Sequence, residues 1–236
     1  MVDPAAPKLR CASCPIRERA VCSTCDADEL KTLDRVKNYR TYPAGVEIIG
    51  AGETAAFVGS VVTGVVKLTK TMVDGRRQMV GLLFPSDFLG RYGGGRADCD
   101  AVAATDVTLC QFERAPFEAL LASTPSLEQR LLQMTMDELD AAREWLLLLG
   151  RKTAREKVAS FLEILARRTA TNPESPQIHV PLSREDMADY LGLTIETVSR
   201  QMSALKKEGV INVRGARDVE IRDRVRLIEE SGEASW

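Results

Sequence analysis

The segment that most constrains the fold lies late in the chain: PLSREDMADYLGLTIETVSRQMSALKKEGVINVRGARDVEI, residues 181–221. Ser183, followed three residues on by Asp186, is a capping-box-like helix start. Met187, Ala188 and Leu191 fall on one face of the short helix that follows. Gly192 supplies a turn, Thr194 can cap a second helix, and Val198, Met202 and Leu205 give that helix an inward face. Gly209 ends it, and INVRGARDVEI with the RDR beyond reads as a hairpin wing. Two short helices about a glycine turn, then a hairpin, predict a winged helix-turn-helix.

The outward side chains give this unit a chemistry. Glu196, Thr197, Ser199, Arg200 and Ser203 occupy the first turns of the second helix, where a recognition helix reaches base edges. Arginine pairs with guanine O6 and N7, and glutamate accepts from cytosine N4. Arg214, Arg217, Arg222 and Arg224 are expected to be available for phosphates, as are the hydroxyls of Thr197 and Ser203. From Thr197 to Arg226, eight basic residues stand against four acidic ones, a local +4 in a chain of net charge −2. A charged amphipathic helix is commonly just a solvated face. Here cap, turn, polar first turn and basic wing coincide in one order, which predicts double-stranded DNA as a partner.

A second concentration lies near the start. CASCPIRERAVCSTC, Cys11–Cys25, holds four of the six cysteines in fifteen residues. Disulfides, a zinc site, an iron–sulfur cluster or a redox dithiol would each crowd thiols this way. The opening MVDPAAPKLR lacks the apolar core of a signal peptide. The longest apolar run, WLLLL (Trp145–Leu149), falls far short of the ~20 residues of a membrane span. A cytoplasmic protein whose thiols stay reduced is expected, which favours metal or redox chemistry over disulfides. The single histidine, His179 in QIHVPLS, reads as a strand residue and rules out histidine-rich metal sites. No G-x-S-x-G, P-loop or G-x-G-x-x-G motif occurs, and YGGGRAD reads as a loop, so no enzyme is expected.

Between these ends the texture changes twice. DADELKTLDRVKN predicts a short helix capped by Asp26, with Leu30, Leu33 and Val36 on one face. From Tyr39 to about Phe112, β-branched runs alternate with turn signals, including a hairpin at Val73–Gly75, as in an antiparallel roll. After the small helix PFEALLAS, a long helix is predicted over about Pro125–Leu149. Leu131, Met134, Trp145 and Leu148 mark a face expected to pack on the roll. Leu132, Leu139 and Leu146 recur every seven residues, with Thr135, Ala142 and Leu149 between them, which has coiled-coil spacing. A buried core helix is the alternative. As an interface the seam is weak, which suits a conditional homodimer. GRKTAREKVASFLEILARRTA gives another amphipathic helix, broken at TNPESP. The fold class is thus α+β, in four parts: a cysteine-rich segment 1–30, a β-roll sensor domain 31–122, a dimerisation helix 123–150 and a winged helix-turn-helix 151–236.

That order of parts resembles the Crp/Fnr family of transcription regulators over the whole chain. YLGLTIETVSRQMSALKKEGVI is very like the recognition segment of the Fnr branch. The resemblance implies Glu196, Ser199 and Arg200 as base readers of a TTGA…TCAA palindrome, bound by a homodimer that also meets RNA polymerase, with no membrane partner. Cyclic-nucleotide members carry an Arg-Ser or Arg-Thr pair where this chain has Arg96 and Ala97, so no cyclic nucleotide is expected. The Fnr branch instead holds an oxygen-labile [4Fe–4S] cluster on three N-terminal cysteines and one in the roll. Cys11, Cys14 and Cys110 match, and Cys22 is favoured as the third N-terminal ligand, with Cys25 the alternative; Cys99 is expected to be a plain thiol. The resemblance therefore implies an oxygen-responsive regulator, switched off when its cluster is oxidised. A constitutive DNA-binding regulator, either stabilised by a zinc ion on Cys11, Cys14, Cys22 and Cys25 or free of any cluster, is an alternative, as is an iron–sulfur redox protein with no DNA role.

Overall fold

The computed structural model describes residues 10–169, 176–215 and 217–233. The N-terminal stretch before Arg10, expected to carry no leader, and the expected helix break over residues 171–175 lie outside them. The chain divides into two compact units, Met1–Asp140 and Ala141–Trp236, with the boundary inside the long helix. That helix was expected as a separate part, but its halves belong to different units.

In the N-terminal unit a short 3-10 turn, Cys11–Ser13, opens a series of turns that ends at Cys25. Helix α1, Ala27–Val36, starts where expected: the Asp26 carboxylate accepts from the backbone N–H groups of Asp28 and Glu29, and Glu29 accepts from that of Asp26. A cap of this kind contributes about 1 kcal/mol. Eight strands follow: β1 (Lys37–Tyr42), β2 (Glu47–Ile49), β3 (Phe57–Thr63), β4 (Val66–Thr71), β5 (Arg77–Leu83), β6 (Phe88–Leu89), β7 (Asp100–Ala103) and β8 (Val107–Glu113). They form two four-stranded sheets, β1-β8-β3-β6 and β2-β7-β4-β5, antiparallel throughout. The expected hairpin joins β4 to β5, with Met72 N–H donating to the Arg76 carbonyl.

The alternation of side chains along the first sheet builds two apolar layers. Tyr42, Val61, Val107 and Leu109 point into the roll and join Val66 and Leu83 of the second sheet. Tyr39, Val58, Val62, Cys110 and Phe112 point out of it and are covered by the cysteine segment, by Leu33 of α1 and by two further helices. These are α2 (Arg114–Ser123) and the first half of α3 (Pro125–Arg151), which supply Phe117, Leu121 and Leu127. Strands β3 and β8 are thus buried on both faces, which is why they read as nearly continuous apolar runs.

The C-terminal unit comprises the second half of α3, α4 (Ala154–Thr169), β9 (Gln177–His179), α5 (Arg184–Leu191), α6 (Ile195–Lys207), β10 (Ile211–Arg214), β11 (Asp218–Ile221) and α7 (Arg224–Glu230). Its three strands pair in the order β10-β11-β9, and His179 is a strand residue, opposite Asp218. Two expectations are corrected here. Trp145 and Leu148, expected to pack on the roll, fall in the C-terminal unit, where the Trp145 ring lies 6.0 Å from that of Tyr190 in α5. Leu131 and Met134, about three to five turns earlier, do pack against the outer layer of the roll. Arg224 does not belong to the wing but opens α7, capped by Asp223, which accepts from Arg226 N–H. A signal passed over in the sequence separates α3 from α4. Thr153 and Glu156 form a reciprocal cap, with Thr153 N–H donating to Glu156 at 2.6 Å and Glu156 N–H to Thr153 Oγ1 at 3.3 Å.

Candidate thiol cluster and nucleic-acid interface

Strand β8 sets the first site. Its outward face presents Cys110, which lies directly opposite Tyr39 on β1 and Ser60 on β3. The close approach of β3 needs Gly59, because a Cβ there would fall 2.5 Å from the Cys110 carbonyl oxygen. Over this face the cysteine segment folds back, held at several points. The Cys11 backbone N–H donates to Asp34 Oδ1 at 2.8 Å, and Lys37 Nζ pairs with the same oxygen at 3.0 Å. Arg17 donates to the carbonyls of Ser23 and Cys25, closing the turn that carries Cys22. Thr24 Oγ1 donates to the Ser126 carbonyl, and Arg130 donates to that of Arg19, which ties the segment to the first half of α3.

Between segment and sheet lies a small cavity, partly open to solvent. Cys11, Cys14, Cys22 and Cys110 line it, together with Tyr39 and Ser60. Cys25 is buried but does not line it, and Cys99 sits half-buried beside Asp98 and Asp100. All six cysteines are free. Burial pushes the Cys11 and Cys110 thiols up to about 12, and raises Cys22 as well, so in the metal-free protein they are neutral. A bound cation reverses that preference, since thiolates are the ligating form. The donor set fits a [4Fe–4S] cluster: four thiols, one shared cavity, apolar walls of Ile16, Val21, Leu33 and Phe112. Among the described residues no group of three or more Cys, His, Asp or Glu is placed so that it could hold a metal ion. A tetrahedral zinc needs four donors within about 2.3 Å of one point. Cluster thiolates each bind a different iron and stand farther apart.

Tyr39 and Ser60 were not recognised from sequence as site residues. The Tyr39 hydroxyl donates to Cys14 Sγ at 3.9 Å, and burial and the neighbouring thiols hold its pKa above the usual range. Ser60 Oγ is buried with no hydrogen-bond partner among the described residues. The single polar side chain in the otherwise apolar FVGSVV run was the available signal.

The second site is built as its sequence predicts. Ser183 and Asp186 form the capping box of α5, Gly192 adopts φ +60° as its C-cap, and Thr194 Oγ1 accepts from Thr197 N–H at the start of α6. Val198, Met202 and Leu205 are buried, while Glu196, Ser199, Arg200 and Ser203 are exposed and Thr197 is half-buried. The N-terminal backbone amide and Thr194 keep the Glu196 carboxyl below its ordinary range, so it stands ready as an acceptor. Arg200 reaches back to Thr197 Oγ1 at 3.4 Å.

The wing is less free than expected. Arg214 and Arg222 both pair with Glu220, at 2.9 and 3.2 Å, and Arg224 pairs with the buried Glu163 at 3.1 Å. Arg217 is exposed, with no ion pair among the described residues. The exposed stripe of α3 carries Leu132, Leu139 and Leu146, 62%, 43% and 64% exposed, with Thr135 and Ala142 exposed between them and Leu149 half-buried. The core-helix alternative therefore does not hold for these positions. No helix among the described residues is long and apolar enough to cross a membrane.

A roll with an apolar outer site and a winged helix-turn-helix with an exposed polar first turn define a DNA-binding transcription regulator. Residues 156–230 match the Crp-like helix-turn-helix domain, and residues 39–124 match the cyclic nucleotide-binding domain. The chain is 58% identical over 231 residues to the transcriptional activator protein FnrL of Cereibacter sphaeroides, covering 96% of this chain and 93% of that one. It is 41% identical over 204 residues to the nitrogen fixation regulation protein FixK of Bradyrhizobium diazoefficiens, covering 86% of each. The solved structure of FixK2 from Bradyrhizobium japonicum superposes with a TM-score of 0.78 at 38% identity, over 85% of this chain and 99% of that one. The chain belongs to the Crp/Fnr family of transcription regulators.

Proposed function

We propose that this regulator is an oxygen-responsive transcriptional activator of the Fnr type, with a [4Fe–4S] cluster on Cys11, Cys14, Cys22 and Cys110. One observation carries the reading: these four thiols line a single cavity, and Cys25 and Cys99 do not. The likeness to FnrL, named an activator, supports the direction of control. When bound, the cluster supplies an oxygen-labile centre whose loss is the signal. The cysteines link the N-terminal segment to β8, and the same apolar layer includes Leu127, Leu131 and Met134 of α3. The opposite stripe of that helix carries Leu132 and Leu139, so packing around the thiols bears on the face offered to a second copy. Glu196, Ser199 and Arg200 read a TTGA…TCAA site from each subunit, with half-sites one turn of DNA, ~34 Å, apart. Thr197, Ser203, Arg214 and Arg217 serve the backbone, and RNA polymerase is the further partner. Ala97 at the second cavity, with Arg91 and Arg114, offers no hydroxyl for a cyclic phosphate, which supports a signal other than a cyclic nucleotide.

Protein purified under nitrogen should be straw-brown, contain iron and sulfide, and bind the palindrome. Admission of air should bleach it and release the DNA. Cys110→Ala should abolish iron uptake, because Cys110 is the one proposed ligand that the roll contributes. Full iron and sulfide content in that variant would overturn the assignment.

A further inference from the structure

The cavity has two hydroxyls as well as four thiols, and they flank Cys110 from both neighbouring strands. Tyr39 lies opposite it on β1 and Ser60 opposite it on β3. Directly opposed residues in an antiparallel pair have Cβ atoms about 4.5–5.5 Å apart. Ser60 stands on the outward face with Val58 and Val62, lines the cavity and is 2% exposed. Its hydroxyl is unpartnered among the described residues, although β3 could have placed an apolar side chain there at no such cost. Tyr39 already directs its hydroxyl to a thiol, Cys14 Sγ at 3.9 Å. A buried hydroxyl without an acceptor is an unusual feature and calls for a partner that the protein atoms do not provide.

We infer that Ser60 and Tyr39 are positioning residues that donate O–H···S hydrogen bonds to the cluster and its thiolates. The inference rests on the cluster reading above and adds to it the residues that tune the site. Sulfur in a reduced cluster is more negative than in an oxidised one, so a donor stabilises the reduced form more. Hydrogen bonds to sulfur are one of the means by which a protein sets such a potential. Both hydroxyls therefore shift the potential upward and make the cluster harder to oxidise.

The test compares wild type, Ser60→Ala, Ser60→Thr and Tyr39→Phe, each reconstituted under nitrogen with ferrous iron and sulfide. Ser60→Ala and Tyr39→Phe should bind the cluster but show a more negative reduction potential by redox titration. Their absorbance should decay in air about 10-fold faster than wild type, the lower end of typical outer-shell effects. Ser60→Thr, which keeps the hydroxyl, should restore the potential. In metal-free protein, Ser60→Ala should melt no lower than wild type, since it removes an orphaned hydroxyl; a merely structural role for Ser60 would give the opposite sign. Unchanged potentials in both Ser60→Ala and Tyr39→Phe overturn this inference and leave the cluster reading standing. Failure of wild type itself to take up iron and sulfide overturns both.

Discussion

The Asp34 carboxylate accepts the backbone N–H of Cys11 at 2.8 Å, joining α1 to the first of the cavity thiols. The cysteine segment has little regular structure of its own, so a few such contacts decide where its thiols stand. Lys37, its side chain 9% exposed, pairs with the same oxygen. Asp34→Ala should leave the roll folded, because its side chain adds nothing to either apolar layer, yet free Cys11. Cluster retention should fall about 10-fold or more, measured as iron and sulfide per chain after gel filtration under nitrogen. Retention equal to wild type would mean that the thiols themselves hold the segment.

Cys22 and Cys25 differ by one turn of chain, and Arg17 fixes which of them faces the cavity. Cys25→Ala and Cys99→Ala should retain iron, while Cys11→Ala, Cys14→Ala and Cys22→Ala should lose it. A labile residual cluster in Cys22→Ala is expected if Cys25 can swing in as a substitute. Loss in Cys25→Ala with retention in Cys22→Ala would move the third ligand three residues along.

The exposed stripe on α3 predicts opposite effects from two substitutions. Ala142→Leu enlarges an apolar seam position and should tighten self-association; Leu139→Glu puts a charge into it and should weaken it. Sedimentation under nitrogen and in air reads both. An unchanged oligomeric state in the two variants would assign the stripe to something other than a second copy.

Arg200 and Arg217 should separate specificity from affinity. Arg200→Ala should cost about 1–3 kcal/mol on the palindrome and relax the preference at its guanine. Arg217→Ala should weaken all sequences alike and lower the salt slope by about 1. Arg214 is already paired with Glu220, so Arg214→Ala should do less than Arg217→Ala. Titrations of specific and random duplexes at several salt concentrations distinguish these outcomes.

The C-terminal unit is fastened by Arg155, which donates to both Glu230 and Glu208, while Arg226 pairs with Glu208 as well. Arg155 holds the Glu230 carboxyl below its ordinary range. A depressed folded pKa contributes stability that is full above the unfolded value, about 4.3, and is lost as pH falls below it. Glu230→Gln should therefore flatten the acid limb of the melting curve below about pH 4.3. Arg155→Ala should cost roughly 1.5–3 kcal/mol at neutral pH, where the partners are charged. An acid limb of the same slope in Glu230→Gln would place the titrating group elsewhere.

Much of this was legible locally. Asp26, Ser183 and Thr194 cap the helices they were expected to cap, and Gly192 turns where a left-handed residue was needed. Each of these depends on hydrogen bonds spanning only a few residues, so neighbouring sequence suffices to predict it. The pairing of Arg214, Arg222 and Arg224 was not legible, because Glu220 and Glu163 reach them only once the strands and α7 are in place. The same holds for Trp145, whose heptad position says that it is buried but not by what.

The cysteine site divides along the same line. Sequence alone determined that thiols crowd at the start of the chain and that Cys110 lies in a strand. Tertiary structure decided which thiols share a space. Side chains alternate along β8, so a slip of one residue in its pairing would turn Cys110 into the roll and bring Leu109 to the cavity. That register depends on β1 and β3, about 50 to 70 residues away in sequence. No local pattern contains it, and the outer face of one sheet is where the two hydroxyls and the four thiols meet.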